Sequence, residues 1–242
     1  MTTIAFVHNR FPAGGAERIT IDIARYLKSM GGYRVYVYAT RIDSMLMTEE
    51  LAEILTIRNI PSQAIQLRRS AAVEKLIESD GVDILVQVGK SLKGIVGIRK
   101  RTGCKSVVAC HGEPFWQRYV ILNRRQKGTL RKILWQLYAE KRYVDGTLAM
   151  SKAIERTRKQ YLESDAFTVL CKPYKNHIEE VLGIEPDLSR VYSIENPELP
   201  VENVCWDKEK VVLFCGRFEN WSKRLDRLLR IWKNVQHRLP QW

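Results

Sequence analysis

Short apolar runs of strand length alternate with longer stretches of helical periodicity along most of this 242-residue chain. Apolar runs of this kind are typical of strands that are buried on both faces of a sheet. Strands that alternate with helices form a parallel sheet with helices on both faces, so we predict an α/β, Rossmann-like, doubly wound fold. The strands predicted in this way cover residues 4–7, 35–38, 84–88, 107–110, 147–150, 191–194 and 211–215.

Helices are predicted between these strands. In the first helix Ile19, Ile23 and Leu27 recur on one face, and Gly31 follows as a C-terminal stop. Ser151 is predicted to cap the N-terminus of a helix that runs to residue 162. The other predicted helices cover residues 71–79, 129–143 and 225–238.

A proline-marked segment after residue 194, Glu-Asn-Pro-Glu-Leu-Pro, reads as a linker between two domains. We therefore predict a first domain over residues 1–195, a linker over residues 196–210, and the first βα unit of a second Rossmann-like domain over residues 211–242. One βα unit cannot bury both faces of a sheet, so we expect this second domain to be incomplete.

The charge and the cysteines limit the classes of function. A net charge of +13 predicts an anionic partner, which could be a nucleic acid, a membrane surface or a phosphorylated substrate. No helix-turn-helix, RNP or zinc-finger pattern accompanies the charge, so specific nucleic-acid binding is not expected. Five cysteines without a CxxC pair indicate thiols in a reducing cytosol, and no signal peptide or membrane-length apolar run is visible. We therefore expect a cytoplasmic protein.

A pair of glycines, Gly14 and Gly15, lies between the first predicted strand and the first helix. Adjacent glycines let the backbone approach a ligand closely, and the free amides of a helix N-terminus favour an anion such as a phosphate. The segment lacks both the GxGxxG and the GxxxxGK[ST] patterns, so a simple tight turn explains it about as well.

His111 ends the strand predicted over residues 107–110, at the carboxyl edge of the sheet, and Glu113 follows two residues later. A histidine there can hydrogen-bond a sugar hydroxyl or exchange a proton near neutral pH. A lone histidine is more often structural, and Glu113 has the same two interpretations.

Two cations, Arg217 and Lys223, lie in the loop after the last predicted strand. Both side chains could converge on one diphosphate, although charged loops are more often simply solvated.

A basic, aromatic segment covers residues 115–143, from Phe115 to Tyr143. Trp116, Tyr119, Trp135 and Tyr138 interleave there with eight arginines and lysines. The pattern suits an anionic membrane surface at the cytoplasmic face or a lipid-phosphate acceptor. The core-like spacing of its leucines favours, slightly, a core helix with a basic outer side.

The order of these motifs resembles family 4 of the glycosyltransferases, which have the GT-B fold of two facing Rossmann-like domains. The family pattern is a loop with paired glycines, a strand ending in histidine, a strand ending in serine, an Asn-Pro linker, and a strand followed by Gly-Arg and a lysine. The corresponding residues are Gly14 and Gly15, His111, Ser151, Asn196 and Pro197, Gly216 and Arg217, and Lys223.

The resemblance implies transfer of a sugar from a nucleotide-diphosphate sugar, with retention, to a glycan or lipid-linked acceptor in cell-surface polysaccharide synthesis. It implies that the Gly15 amide, with Gly14 beside it, and Arg217 and Lys223 bind the donor diphosphate, while His111 contacts the transferred sugar. Neither a metal nor another cofactor would be needed, because positive groups neutralise the departing diphosphate. Glu113 and Ser151 are candidate contacts to acceptor or sugar.

Two departures from the family pattern affect these expectations. Arg224 follows Lys223 where the family often has glycine, and the later family motif of two glutamates separated by seven residues belongs deep in the second domain, beyond the region that this sequence covers. We therefore expect the 242-residue chain by itself not to turn over substrate. Two alternatives remain: a nucleotide-sugar epimerase, and a non-catalytic module that binds an anionic lipid or polysaccharide.

Overall fold

The computed structural model describes residues 1–61, 71–89, 92, 94–115, 129–134, 137, 148–197, 206–207, 209–216, 218 and 223–239. The chain divides into two compact units. The first comprises Met1–Pro114 and Ala153–Glu198, and the second comprises Phe115–Lys152 and Leu199–Trp242.

The first unit is built on a seven-stranded parallel sheet. The strands are β1 (Thr2–His8), β2 (Tyr33–Ala39), β3 (Thr56–Asn59), β4 (Ile84–Val88), β5 (Lys105–Cys110), β6 (Ala166–Val169) and β7 (Val191–Ser193). Their order is β3-β2-β1-β4-β5-β6-β7, so the strand order reverses between β1 and β4. A reversal of this kind opens a crevice at the carboxyl ends of the two strands.

The described helices are α1 (Gly15–Met30), α2 (Glu49–Ile54), α3 (Ala71–Asp80), α4 (Ile95–Thr102), α5 (Thr129–Leu134), α6 (Leu148–Glu163), α7 (Lys172–Leu182) and α8 (Leu225–Val235). Short 3-10 turns cover Ser44–Leu46, Pro186–Leu188 and Gln236–Arg238. Gly31 ends α1 with a φ of 70°, as predicted, because a residue without Cβ reaches that conformation at little cost.

Helices pack on both faces of the sheet, which confirms the predicted doubly wound fold. On one face Phe6 and Val37 pack with Ala24 of α1 and Leu51 of α2. On the other face Tyr38 and Leu85 pack with Val73 and Ile77 of α3 and with Ile95 and Ile98 of α4. Neighbouring residues of one strand supply opposite faces, because side chains alternate along a strand.

Most of the predicted elements are confirmed, with two strands missed. The strands at residues 4–7, 35–38, 84–88, 107–110 and 191–194 correspond to β1, β2, β4, β5 and β7, and the helices at residues 71–79 and 225–238 correspond to α3 and to α8 with its 3-10 turn. Strand β3 was missed because it contains one strongly apolar residue, Ile57, and is largely exposed at the sheet edge. Strand β6 was missed because it is only four residues long.

The strand predicted over residues 147–150 is wrong, since residues 148–150 begin helix α6. Leucine, alanine and methionine at these positions are strong helix formers, which outweighs the apolar run. Ser151 therefore lies inside α6, with an exposed side chain, and not at an N-cap.

The strand predicted over residues 211–215 is also wrong. These residues have no regular secondary structure, and the side chain of Leu213 is 81% exposed. A strand forms only where a neighbour completes its hydrogen bonds, and no described residue pairs with this segment. The helix expected over residues 129–143 is described only at α5 and at Leu137, and the rest of that prediction lies outside the described residues.

A buried polar contact holds the loop that follows β4. The Nε2 atom of Gln87 donates to Oγ of Ser106 at 2.7 Å, and the amide of Leu92 donates to Oε1 of Gln87 at 2.5 Å. Gln87 is fully buried, and these two contacts give both the oxygen and the nitrogen of its side-chain amide a partner within the protein. The contact fixes Leu92 beside the carboxyl end of β4.

Candidate functional site

A cavity of about 250 Å³ lies at the carboxyl ends of β1 and β4, where the strand order reverses. In doubly wound folds this crevice is where ligands bind. The described residues that line it come from the end of β1, the first turn of α1, and the end of β4 with its following loop. They are Val7, His8 and Asn9; Ala16 and Glu17; and Val88, Gly89 and Leu92.

The two glycines of the predicted anion site begin helix α1. Gly14 is the N-cap, with φ 130° and ψ 175°, and Gly15 is the first helical residue. The first helical hydrogen bond runs from the amide of Arg18 to the carbonyl of Gly14 at 3.1 Å. The three amides before Arg18 therefore have no partner within the helix, as at every helix start.

The carboxylate of Glu17 folds back over this helix start. A Cβ placed on Gly14 would overlap Oε2 of Glu17, so the glycine leaves the room that the carboxylate occupies. The carboxylate also accepts a hydrogen bond from its own backbone amide. A negative group in this position is favoured by the amides and the dipole of α1.

His8, the last residue of β1, holds the other side of the Glu17 carboxylate. The Nδ1 atom of His8 lies 3.5 Å from Oε1 of Glu17, and its Nε2 atom lies 2.9 Å from Oγ1 of Thr20. Both His8 and Thr20 are buried, and the ring of Phe11 packs against the imidazole at 5.4 Å. The imidazole is therefore fixed in orientation between two residues of α1.

The electrostatics of this cluster keep Glu17 ionised. Burial raises the pKa of Glu17, but the hydrogen bonds from His8 and from its own amide, and the charges of His8 and His111, outweigh burial and lower the pKa. His111 responds in the opposite sense. Burial, and then the charge of His8, lower its pKa, and the nearby Glu17 carboxylate only partly offsets them. At neutral pH the cluster thus presents a carboxylate and an uncharged His111.

Three of the predicted residues belong to this cluster. Gly14 and Gly15 form the start of α1, and His111, directly after β5, is electrostatically coupled to Glu17. Glu113 is half-buried in the loop after β5. The pKa of Tyr174 is raised, first by the burial of Tyr174 itself and second by the negative charge of Glu113.

The remaining predicted residues belong to the second unit or lie outside the described residues. Ser151 and Lys223 both fall in the second unit, each with an exposed side chain, and Lys223 lies two residues before α8. Arg217 lies outside the described residues.

Two residues of the cluster were missed as site residues, His8 and Glu17. The signals were present: His8 directly follows the strand predicted over residues 4–7, at the carboxyl edge of the sheet, and Glu17 lies three residues after a glycine N-cap. Among the described residues, no group of three potential metal ligands is close enough to hold an ion.

Comparisons with known proteins place the chain in a family. The sequence model described as Glycosyltransferase Family 4 matches residues 13–197. Curated protein sequences gave no match.

Several solved structures align with part of this chain at low identity. Apo UGT2 of Phytolacca americana is 13% identical, with a TM-score of 0.47, over 80% of this chain and 51% of that one. HepE of Anabaena, solved with UDP-glucose, is 14% identical, with a TM-score of 0.48, over 81% and 44% of the two chains. WaaG, a glycosyltransferase involved in lipopolysaccharide biosynthesis, is 16% identical, with a TM-score of 0.43, over 78% and 44%. The chain spans about half the length of these proteins.

The family match covers well over half of the 242 residues, including the start of α1, the cavity lining contributed by α1 and by the end of β4, and the whole sheet after β1. The chain belongs to glycosyltransferase family 4.

Proposed function

We propose that this chain is part of an enzyme that transfers a sugar from a nucleotide-diphosphate sugar to a hydroxyl of a glycan or lipid-linked acceptor, with retention, in cell-surface polysaccharide synthesis. In this reaction the bond between the anomeric carbon and the diphosphate oxygen breaks, and its electron pair leaves with the diphosphate. The acceptor oxygen bonds to the anomeric carbon, and its proton passes to the departing diphosphate. The observation that carries the proposal is the cavity between β1 and β4, with Glu17 in its lining and His111 electrostatically coupled to that carboxylate, in a chain of this family.

The donor diphosphate is assigned to the Gly14–Gly15 turn together with Arg217 and Lys223. The amide of Gly15 precedes the first helical hydrogen bond of α1 and can donate to a phosphate oxygen. Arg217 and Lys223 would supply positive charge as the diphosphate departs. This assignment asks for no metal and no cofactor beyond the nucleotide-sugar co-substrate.

His111 is assigned to the transferred sugar. Its lowered pKa keeps the imidazole uncharged at neutral pH. The ring can therefore form a hydrogen bond with a sugar hydroxyl without adding a charge next to the reacting carbon. Glu113, two residues further on, and Ser151 stay as candidate contacts to sugar or acceptor.

The donor assignment is tested by calorimetric titration with a panel of UDP-, GDP- and ADP-sugars. We expect one nucleotide to bind, and Arg217→Ala and Lys223→Gln each to weaken it by about tenfold or more, since charge-assisted contacts to phosphate are strong. Lys28→Gln, in the last turn of α1, is a matched control that removes one surface charge far along the helix from Gly15. Unchanged affinity in both test variants would remove the diphosphate clamp from the proposal.

Turnover separates the enzymatic alternatives. We expect the protein, in the length in which its host makes it, to form a glycosylated acceptor, and the 242-residue chain alone to bind donor without transfer. Appearance of an epimerised nucleotide sugar without any acceptor would instead identify an epimerase.

A second candidate function is binding to an anionic membrane surface, because α5 exposes apolar side chains. Leu130 is 75% exposed, Leu134 is 56% exposed, and Leu137, just after α5, is 67% exposed. This exposure argues against the core-helix interpretation of their spacing. The sequence places Arg131 and Lys132 between these leucines. Leucines next to basic residues suit the boundary between headgroups and acyl chains.

Co-sedimentation with vesicles tests this second candidate. We expect binding to vesicles of mixed neutral and anionic lipid, and the double variant Leu130→Glu, Leu134→Glu to abolish it. Vesicles of neutral lipid only are the control for charge. Persistent vesicle binding without any nucleotide-sugar binding would favour the non-catalytic module. Among the described helices, none combines the length and apolarity required to cross a membrane.

A further inference from the structure

We infer that the carboxylate of Glu17 is an internal anion that occupies the start of α1 in the free chain, and that a diphosphate must displace this carboxylate in order to bind there. The inference rests on the proposed function, because it takes the start of α1 as the place of the donor diphosphate. It adds that a group of the protein itself competes for this place, so Glu17 lowers the affinity for the donor.

The Glu17 carboxylate uses the groups that a phosphate would use. Three amides precede the first helical hydrogen bond of α1, which begins at the amide of Arg18. The last of the three, the amide of Glu17, already donates to the carboxylate of the same residue. Oε2 of that carboxylate overlaps the position that a Cβ on Gly14 would take. A phosphate that approached the start of α1 would therefore need the same amide and the same space.

The carboxylate and a phosphate cannot occupy the helix start together. The Glu17 side chain is 17% exposed, and like charges repel strongly at close range where water is partly excluded. Protonation would remove the repulsion, but the pKa of Glu17 is lowered: burial raises it, and the hydrogen bonds from His8 and from the residue's own amide outweigh burial. At neutral pH the carboxylate therefore has to move away for a diphosphate to bind.

The contacts that hold the carboxylate are weak enough to be exchanged for contacts with a stronger anion. Nδ1 of His8 lies 3.5 Å from Oε1 of Glu17, which is longer than a strong charge-assisted hydrogen bond of about 2.7–2.9 Å. His8 keeps its second partner, Thr20, at 2.9 Å when Glu17 leaves. A diphosphate carries more negative charge than a carboxylate, so the amides and the dipole of α1 favour it more strongly. Displacement therefore moves one partly exposed side chain and leaves the imidazole in place.

Calorimetric titration with inorganic pyrophosphate, and with UDP, GDP and ADP, tests the displacement in the wild-type chain and in Glu17→Gln. We expect pyrophosphate, and the nucleotide that the chain selects, to bind about 5- to 30-fold more tightly to Glu17→Gln, because the helix start then favours the phosphate without a competing anion. Glu53→Gln is the matched control, which removes the same charge from an exposed position of α2 and should leave both affinities unchanged. The corresponding nucleosides, which carry no phosphate, should bind equally to all three proteins.

The direction of the change separates displacement from misfolding, because an unfolded variant binds every probe more weakly. Equal or weaker binding of pyrophosphate by a folded Glu17→Gln variant would overturn the inference. If circular dichroism shows that Glu17→Gln is unfolded, carbon-13 NMR of the wild-type chain replaces it. Saturating pyrophosphate should then raise the pKa of Glu17, because the carboxylate loses the hydrogen bond from its amide and meets another anion. A Glu17 titration that pyrophosphate leaves unchanged would also overturn the inference.

Failure of this inference is distinguishable from failure of the proposed function. Donor binding that is weakened by Lys223→Gln and unaffected by Glu17→Gln would overturn the inference and leave the proposed function standing. Tighter binding of pyrophosphate by Glu17→Gln, with no nucleotide sugar bound by either protein, would overturn the proposed function and leave the displacement of Glu17 standing.

Discussion

The Nδ1 atom of His8 lies 3.5 Å from Oε1 of Glu17, and this pair joins the end of the first strand to the first turn of the first helix. The same imidazole reaches Thr20, one turn further along α1, through its other nitrogen. One buried ring thus sets the position of the carboxylate in the cavity. The chemistry proposed for the cavity depends on this pair.

Replacing His8 should release Glu17. In His8→Leu we expect the pKa of Glu17 to rise, because a hydrogen bond and a nearby positive charge that lower it are both lost. Loss of partners for Glu17 and Thr20 should also cost about 1–3 kcal/mol of unfolding free energy. Carbon-13 NMR titration of the glutamate carboxyl carbons measures the pKa. Thr20→Val is the control, which removes the Nε2 partner and should leave the Glu17 titration nearly in place.

The neighbouring glycines should respond differently to alanine. In Gly14→Ala the alanine would have to adopt a φ of 130°, which is strained for a residue with a Cβ. Its Cβ would also displace the Glu17 carboxylate, so we expect a loss of about 1–3 kcal/mol of unfolding free energy. In Gly15→Ala the new Cβ meets nothing within 4 Å, and alanine favours the helix, so stability should be unchanged or rise by up to about 1 kcal/mol. Urea unfolding of the two variants measures both values. Equal losses would contradict the geometry at the start of α1.

His111 should make the fold less stable in mild acid. Its pKa in the folded chain lies below the ordinary value of 6.5, so the unfolded chain takes up the proton first as pH falls. Stability is therefore fully present above pH 6.5 and is lost as the pH falls from there through the lower folded pKa. His111→Asn should flatten the fall in unfolding free energy between about pH 7 and pH 5. The control is His237→Asn, which removes an exposed histidine from the second unit. A fall of unchanged steepness in His111→Asn would contradict the burial of this ring.

Replacing Gln87 should lower the free energy of unfolding more than replacing its hydrogen-bond partner Ser106. Gln87→Leu leaves the amide of Leu92 and the hydroxyl of Ser106 without a buried partner, so we expect a loss of about 2–6 kcal/mol, which is twice the cost of one unsatisfied group. Ser106→Ala removes only one of the two contacts and should cost about half as much. Faster amide hydrogen exchange at Leu92 in Gln87→Leu alone would show that the amide contact holds this part of the cavity wall.

The sheet could be predicted because its strands are buried on both faces and carry continuous apolar runs, as in β1, β2, β4 and β5. Prediction failed where the local composition fits more than one secondary structure and packing decides between them. Residues 148–150 are apolar but helical, and residues 211–215 are apolar but have no strand among the described residues to pair with. The edge strand β3 has the reverse problem, since it pairs with β2 but has almost no apolar run.

The site was predicted in part for the same kind of reason. Gly14, Gly15 and His111 could be placed because each lies at a junction that the strand pattern reveals. The roles of His8 and Glu17 depend on a contact between two side chains nine residues apart across the cis-proline turn at Phe11–Pro12, which no periodicity reports. The cavity itself follows from strand order, which a single sequence does not reveal.

The most direct test of the central claim measures release of nucleoside diphosphate by the protein in the length in which its host makes it. The protein is incubated with each nucleotide-diphosphate sugar in a panel, with and without neutral glycoside acceptors. We predict release from one donor that depends on an acceptor, with a glycosylated product of retained configuration, and a large loss of that release in Lys223→Gln. Absence of acceptor-dependent release with every donor, from a protein shown to be folded, would contradict the account.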